Sequence, residues 1–115
     1  MKLSEQTAKP VSKGTAPLSK QEAEVLLREV PLWSPGERTI ERELLFRDFR
    51  AAMVFVDRIA ELANEQDHHP DMFISYNKVR LTLSTHKIGG LSMNDFIVAA
   101  KIDLLAAPML RENAA

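Results

Sequence analysis

The sequence predicts an α+β fold, with helices packed over an antiparallel sheet. Three observations carry this. Helix, strand, strand, helix, extended and helix patterns follow one another in that order. The first two strand-like runs flank a Pro-Gly turn short enough for an antiparallel return. The chain has 115 residues, 45% apolar and 27% charged, a size and balance suited to one buried core.

Residues 1–17 are rich in Lys, Ser, Thr, Ala and Pro and carry too little apolar surface to offset their ordering entropy. They are expected to form a flexible N-terminal tail, a docking arm being the alternative. A single domain is expected over 18–110, with 111–115 as a C-terminal tail. Ser19 and Glu22 have the spacing of a capping box, in which the hydroxyl and carboxylate satisfy each other's backbone N–H groups. Ala23, Leu26, Leu27 and Val30 then repeat at helical spacing until Pro31 ends the helix.

Leu32-Trp33 and Thr39 to Phe46 flank the turn Ser34-Pro35-Gly36 and predict a hairpin. Ile40, Leu44 and Phe46 share one face of its second strand. Arg42 lies on that same face, and a side chain snorkelling at a sheet edge is the expectation, with a ligand contact as the alternative. Asp48 is placed to cap a second helix with the apolar stripe Phe49, Ala52, Met53, Val56, Ile59, Ala60 and Ala63. The stripe fades at Asn64 to Asp67, and Pro70 disfavours helix at His69, so His68 and His69 are expected at or just beyond a helix end.

Between Phe73 and Thr85 the residues Val79, Leu81 and Leu83 alternate with polar ones, while Ile74 and Tyr76 are out of phase. One bent strand or two short ones would satisfy this, with a bulge or turn near Tyr76-Asn77. Gly89-Gly90 closes the run. Ser92 and Asp95 form a second capping box, with Leu91 placed to staple onto Phe96. The helix that follows is more apolar than one core face requires, which predicts an oligomer interface.

Charge and composition exclude several functions. The net charge is −1, from 15 basic and 16 acidic side chains mixed along the chain, so direct nucleic-acid binding and attraction to anionic lipid are not expected. There is no cysteine, hence no disulfide, thiolate metal site or cysteine nucleophile. No phosphate-cradling glycine loop or Gly-x-Ser-x-Gly elbow is present. Neither a secretory leader nor a membrane span is apparent, which makes the cytoplasm the default expectation.

All three histidines, His68, His69 and His86, fall in one window. Imidazole both donates and accepts protons near neutrality, and a helix C-terminus favours its charged form. Each also has a plainer reading: histidines at helix ends satisfy carbonyls, Asp95 is explained as a cap, and Tyr76 as a strand aromatic. Zinc on three imidazoles is a further reading. Adjacent His-His fits it poorly, because neighbouring side chains diverge in extended backbone.

Asp67-His68-His69-Pro70, then Tyr76, His86 and Asp95, together with Tyr76-Asn77-Lys78-Val79, Leu83-Ser84-Thr85-His86 and Gly90-Leu91-Ser92, resemble the signature of the pterin-4a-carbinolamine dehydratases. The resemblance spans roughly residues 19 to 107. Two positions depart from the family pattern: Asn64 stands where a charged residue is common, and Met72 where an aromatic is.

The resemblance implies a four-stranded antiparallel sheet with about three helices on one face, and homodimers or homotetramers. It implies dehydration of 4a-hydroxytetrahydrobiopterin to the quinonoid dihydropterin, without metal or organic cofactor. That step recycles the pterin of aromatic amino acid hydroxylases, hence a functional link to such an enzyme. By the same resemblance His68, His69 and His86 are the catalytic residues, with His68 and His86 as the acid/base candidates and His69 helping to hold the pterin. Asp67, Ser84, Thr85 and Lys87 line the pocket, and Pro70, Tyr76 and Asp95 support it. Relatives of this kind also serve as non-catalytic binding or assembly proteins, as a dimerisation cofactor for a transcription factor or in Rubisco assembly, which is the alternative reading.

Overall fold

The computed structural model describes residues 1–112. After a 3-10 turn at Leu3–Glu5, the elements are α1 (Lys20–Leu27), β1 (Ser34–Pro35), β2 (Ile40–Leu45), α2 (Phe49–Gln66), β3 (Asp71–Ser75), β4 (Lys78–Leu83), a second 3-10 turn at His86–Ile88, and α3 (Met93–Glu112). The strands form one antiparallel sheet in the order β1-β2-β4-β3. The α+β expectation with three helices and four strands holds. The resolved alternative at 73–85 is two strands: β3 and β4 meet at a Tyr76-Asn77 turn, with Ser75 opposite Lys78.

Period-two alternation decides which face of the sheet is buried. Ile40 and Leu44 of β2 lie opposite Leu83 and Val79 of β4, and all four are buried with Leu81. Phe55, Ile59 and Ala63 of α2 and Phe96, Val98 and Ile102 of α3 complete the core. The stripe expected on α2 is rotated slightly: Phe55 is buried, whereas Phe49, at the first turn, is exposed.

Arg42 is not a side chain snorkelling at a sheet edge: β2 is an interior strand. Arg42 sits opposite Leu81 on the inner face, and its guanidinium donates to Asp103 Oδ1 of α3 at 2.6 Å. The same oxygen accepts from Trp33 Nε1 at 2.9 Å. A cation that faces a core persists only with such a partner. The hairpin before it is displaced from its expected place: the paired residues are Ser34 and Pro35 rather than Leu32 and Trp33. The reversal runs through Arg38, which has φ 61, and Trp33 is buried instead of paired.

The segment 1–17, expected as a flexible tail, is laid along the domain. Leu3 is buried in the core, and Lys101 Nζ of α3 donates to the Ser4 carbonyl at 3.0 Å. Composition missed this because one apolar side chain, matched to an apolar strip on α3, anchors a segment whose average is polar. Part of the apolar excess of α3 is thereby used within the chain; Leu104 remains exposed. Of the expected C-terminal tail, Arg111 and Glu112 close α3, and 113–115 lie outside the described residues.

Candidate active site

The site forms where the C-terminus of α2, the exit of β4 and the start of α3 converge. α2 ends on Asp67, which adopts the left-handed conformation, φ 49 and ψ 42. The His68 N–H reaches the Ala63 carbonyl at 3.1 Å and the Asp67 N–H reaches Asn64 at 3.3 Å, the two bonds of a Schellman ending. This reverses the chain so that His68 folds back towards α3 instead of continuing the helix. Pro70, buried just beyond, fixes the entry into β3.

His68 Nε2 donates to Asp95 Oδ1 at 2.6 Å. The His68 side chain is 11% exposed and the Asp95 side chain fully buried. The other carboxylate oxygen, Oδ2, accepts from the Ser92 N–H at 2.9 Å and from Thr85 Oγ1 at 2.9 Å. Thr85 and Ser92 hydroxyls are 2.7 Å apart; because the single Thr85 proton goes to Asp95, Ser92 is the donor of that pair. Asp95, in the first turn of α3, thus both satisfies the Ser92 N–H at the start of that helix and orients His68. With Nε2 committed to a carboxylate, Nδ1 is the His68 nitrogen available to a bound molecule.

His69 Nε2 pairs with Asn64 Oδ1 at 3.0 Å, so the uncharged residue at that departing position has a defined task. His86 opens the 3-10 turn that follows Thr85 and is exposed. Ser84 Oγ donates to the Arg38 carbonyl at 3.0 Å, tying the β4 exit to the hairpin.

A cavity of about 380 Å³ lies over these groups, within the range of small-molecule sites. Asp67, His68, His69, Ser84, Thr85, His86 and Lys87, the residues expected from the sequence, all line it. Asp95 stands behind His68 and Thr85. Tyr76 is not brought to the cavity: it is exposed at the β3–β4 turn, at the opposite end of β4, roughly 20 Å away for a strand of that length. The lining residues that sequence reasoning missed are Gln66, Asn94 and Ala8 to Val11. Gln66 and Asn94 flank residues already singled out; the N-terminal four carried no signal, their place being set by long-range contacts. Among the described residues no group of three or more His, Cys, Asp or Glu is placed to hold a metal ion.

Fold and site together define a small α+β domain with a polar, imidazole-lined pocket in which one imidazole is oriented by a buried carboxylate. Residues 16–105 match the family model of pterin 4 alpha carbinolamine dehydratase, and the chain belongs to that family. It is 45% identical over 109 residues to a provisionally named pterin-4-alpha-carbinolamine dehydratase of Halorhodospira halophila, covering 93% of this chain and 100% of that one. A provisionally named counterpart in Nitrosomonas eutropha is 43% identical, covering 90% of this chain and 92% of that one. Among solved structures, a transcriptional coactivator/pterin dehydratase from Brucella melitensis superposes with a TM-score of 0.74 at 34% identity, covering 79% of this chain and 99% of that one. A pterin dehydratase-like RuBisCO assembly factor of the alpha-carboxysome shares the fold, with a TM-score of 0.55 at 21% identity, over 65% of this chain and 87% of that one. The function is that of a pterin carbinolamine dehydratase-like protein. No helix among the described residues is long and apolar enough to cross a membrane.

Proposed function

We propose that this chain catalyses dehydration of 4a-hydroxytetrahydropterin to quinonoid dihydropterin by histidine acid/base chemistry. The observation that carries the reading is the convergence of three imidazoles on one cavity, one of them held by Asp95. In the reaction the C4a–O bond breaks as the hydroxyl takes a proton and leaves as water. The N5 proton is removed, and its electron pair forms the C4a=N5 double bond. One base and one acid are therefore needed.

Asp95 accepts from His68 Nε2, which leaves the Nδ1 lone pair as the base for the N5 proton. The carboxylate then stabilises the imidazolium that forms, as in other carboxylate–imidazole pairs. His86, which also lines the cavity and whose imidazole has no hydrogen-bond partner among the described residues, supplies the proton to the leaving hydroxyl. His69, steadied by Asn64, and Lys87 hold the ring edges. The product re-enters the redox cycle of an aromatic amino acid hydroxylase.

The test is the dehydration rate of freshly generated 4a-hydroxytetrahydropterin with wild type, with His86→Ala and with no protein. The expected result is an acceleration over the blank that His86→Ala removes while remaining folded. A wild-type rate equal to the blank would refute the enzymatic reading and leave a binding or assembly protein on the same scaffold.

A further inference from the structure

The pocket is polar on every side but one. Each lining side chain contributed by the helices and strand exits, from Gln66 to Asn94, is polar or charged, whereas the apolar ones, Ala8, Pro10 and Val11, all come from the N-terminal arm. Sites for flat heteroaromatic molecules draw affinity from apolar surface and use a few polar groups for orientation. Here the apolar surface comes from the arm.

The arm is anchored on both sides of this stretch. Upstream, Leu3 is buried in the core. Downstream, the Leu18 N–H donates to the Leu91 carbonyl at 2.8 Å. Pro17 lies so close to Gly90 that a Cβ there would come within 2.7 Å of the Pro17 Cβ. At the pocket, the Ala8 N–H donates to Gln66 Oε1 at 2.9 Å. Asn94 clasps both backbone groups of Lys9, its Oδ1 accepting from the N–H at 2.9 Å and its Nδ2 donating to the carbonyl at 2.6 Å. An amide side chain, 9% exposed, matched to donor and acceptor of one residue sets the register of the strap as well as its attachment. The family model begins at residue 16, beyond the stretch of the arm that lines the pocket.

We infer that Ala8, Pro10 and Val11 are the apolar wall of the substrate pocket and that Asn94, through its grip on the Lys9 backbone, is the positioning residue that sets it. Ring affinity, and not proton transfer, then depends on the arm. The inference rests on the pterin dehydratase reading of the same pocket.

The test compares wild type with the double variant Pro10→Ser/Val11→Ser, which keeps the Leu3 anchor, and with Asn94→Leu. Affinity is read directly with 7,8-dihydrobiopterin, a pterin that cannot dehydrate, alongside kcat and KM for the 4a-hydroxy substrate. The double variant is expected to weaken binding and raise KM by roughly tenfold with kcat held within about twofold, the signature of lost uniform binding. Asn94→Leu should do the same and also speed hydrogen exchange at the Ala8 and Lys9 amides. Asn94→Asp, which keeps the acceptor for Lys9, should fall between. Wild-type affinity and KM in the double variant would overturn the assignment while leaving the dehydratase reading intact, as would a loss confined to kcat. A wild type that neither binds the pterin nor accelerates dehydration would overturn both.

Discussion

His68 Nε2 and Asp95 Oδ1, 27 residues apart in sequence, stand 2.6 Å apart across the junction of α2 and α3. The bond joins a helix ending to a helix beginning, so one carboxylate both orients an imidazole and ties together the ends of the two longest helices. Asp95→Asn should retain the shape and lose much of the effect. Turnover is expected to fall at least roughly tenfold, because the amide cannot stabilise a His68 imidazolium as a carboxylate does. Single-turnover rates on folded protein would check it.

Truncation at the same position should act on stability. Asp95→Ala leaves the buried Thr85 hydroxyl and the part-buried Ser92 N–H without their acceptor, which should cost about 2–4 kcal/mol. Urea unfolding would measure it. A loss below about 1 kcal/mol would show that water replaces the carboxylate.

The Arg42–Asp103 pair offers a contrast. Removing one partner by Asp103→Ala strands a guanidinium whose side chain is 10% exposed and should cost roughly 2–3 kcal/mol, discounted from the fully buried case because Asp103 is the more exposed partner. Replacing the pair together, Arg42→Met with Asp103→Leu, should recover most of that loss. A double-mutant cycle in denaturant supplies the coupling, and Trp33 fluorescence reports the loss of its acceptor.

Tyr76 holds φ 52 in the two-residue β3–β4 turn, a conformation that costs a side chain with a Cβ about 1 kcal/mol relative to glycine. Tyr76→Gly should therefore raise the denaturation midpoint, by up to about 1 kcal/mol in stability.

The capping box of α1 carries a pH signature. Ser19 donates its N–H to Glu22, which lowers the Glu22 pKa from its ordinary 4.5. A depressed folded pKa contributes stability that is fully present above the unfolded value and is lost as pH falls through the folded one. The stability difference between wild type and Glu22→Ala should be constant above about pH 5 and shrink below pH 4. Added salt should reduce it as well, because Glu22 is fully exposed.

Much of the fold and the site was legible in the sequence, because the relevant signals are local. The caps at Ser19, Asp48 and Ser92–Asp95, the alternation at Val79, Leu81 and Leu83, and the stop at Pro70 each act over a few residues of backbone. The pocket residues on either side of them, Asp67 to His69 and Ser84 to Lys87, could be grouped through the resemblance their spacing carries. The partners were not legible. Arg42 facing the core was visible as an anomaly, yet its resolution by Asp103 lies on another element, 61 residues away. The place of Tyr76 depended on whether 73–85 was one strand or two, and local pattern leaves both open. The arm shows the limit most clearly. By itself the sequence determined where the three helices and the strand β2 lie and which residues of β2 and β4 face the core, since those follow from near-neighbour sterics and periodicity. Only the tertiary structure decided that Asn94 meets Lys9 and that Asp95 meets His68, because a hydrogen bond between distant residues is specified by where the packed elements end up and not by any pattern in either segment.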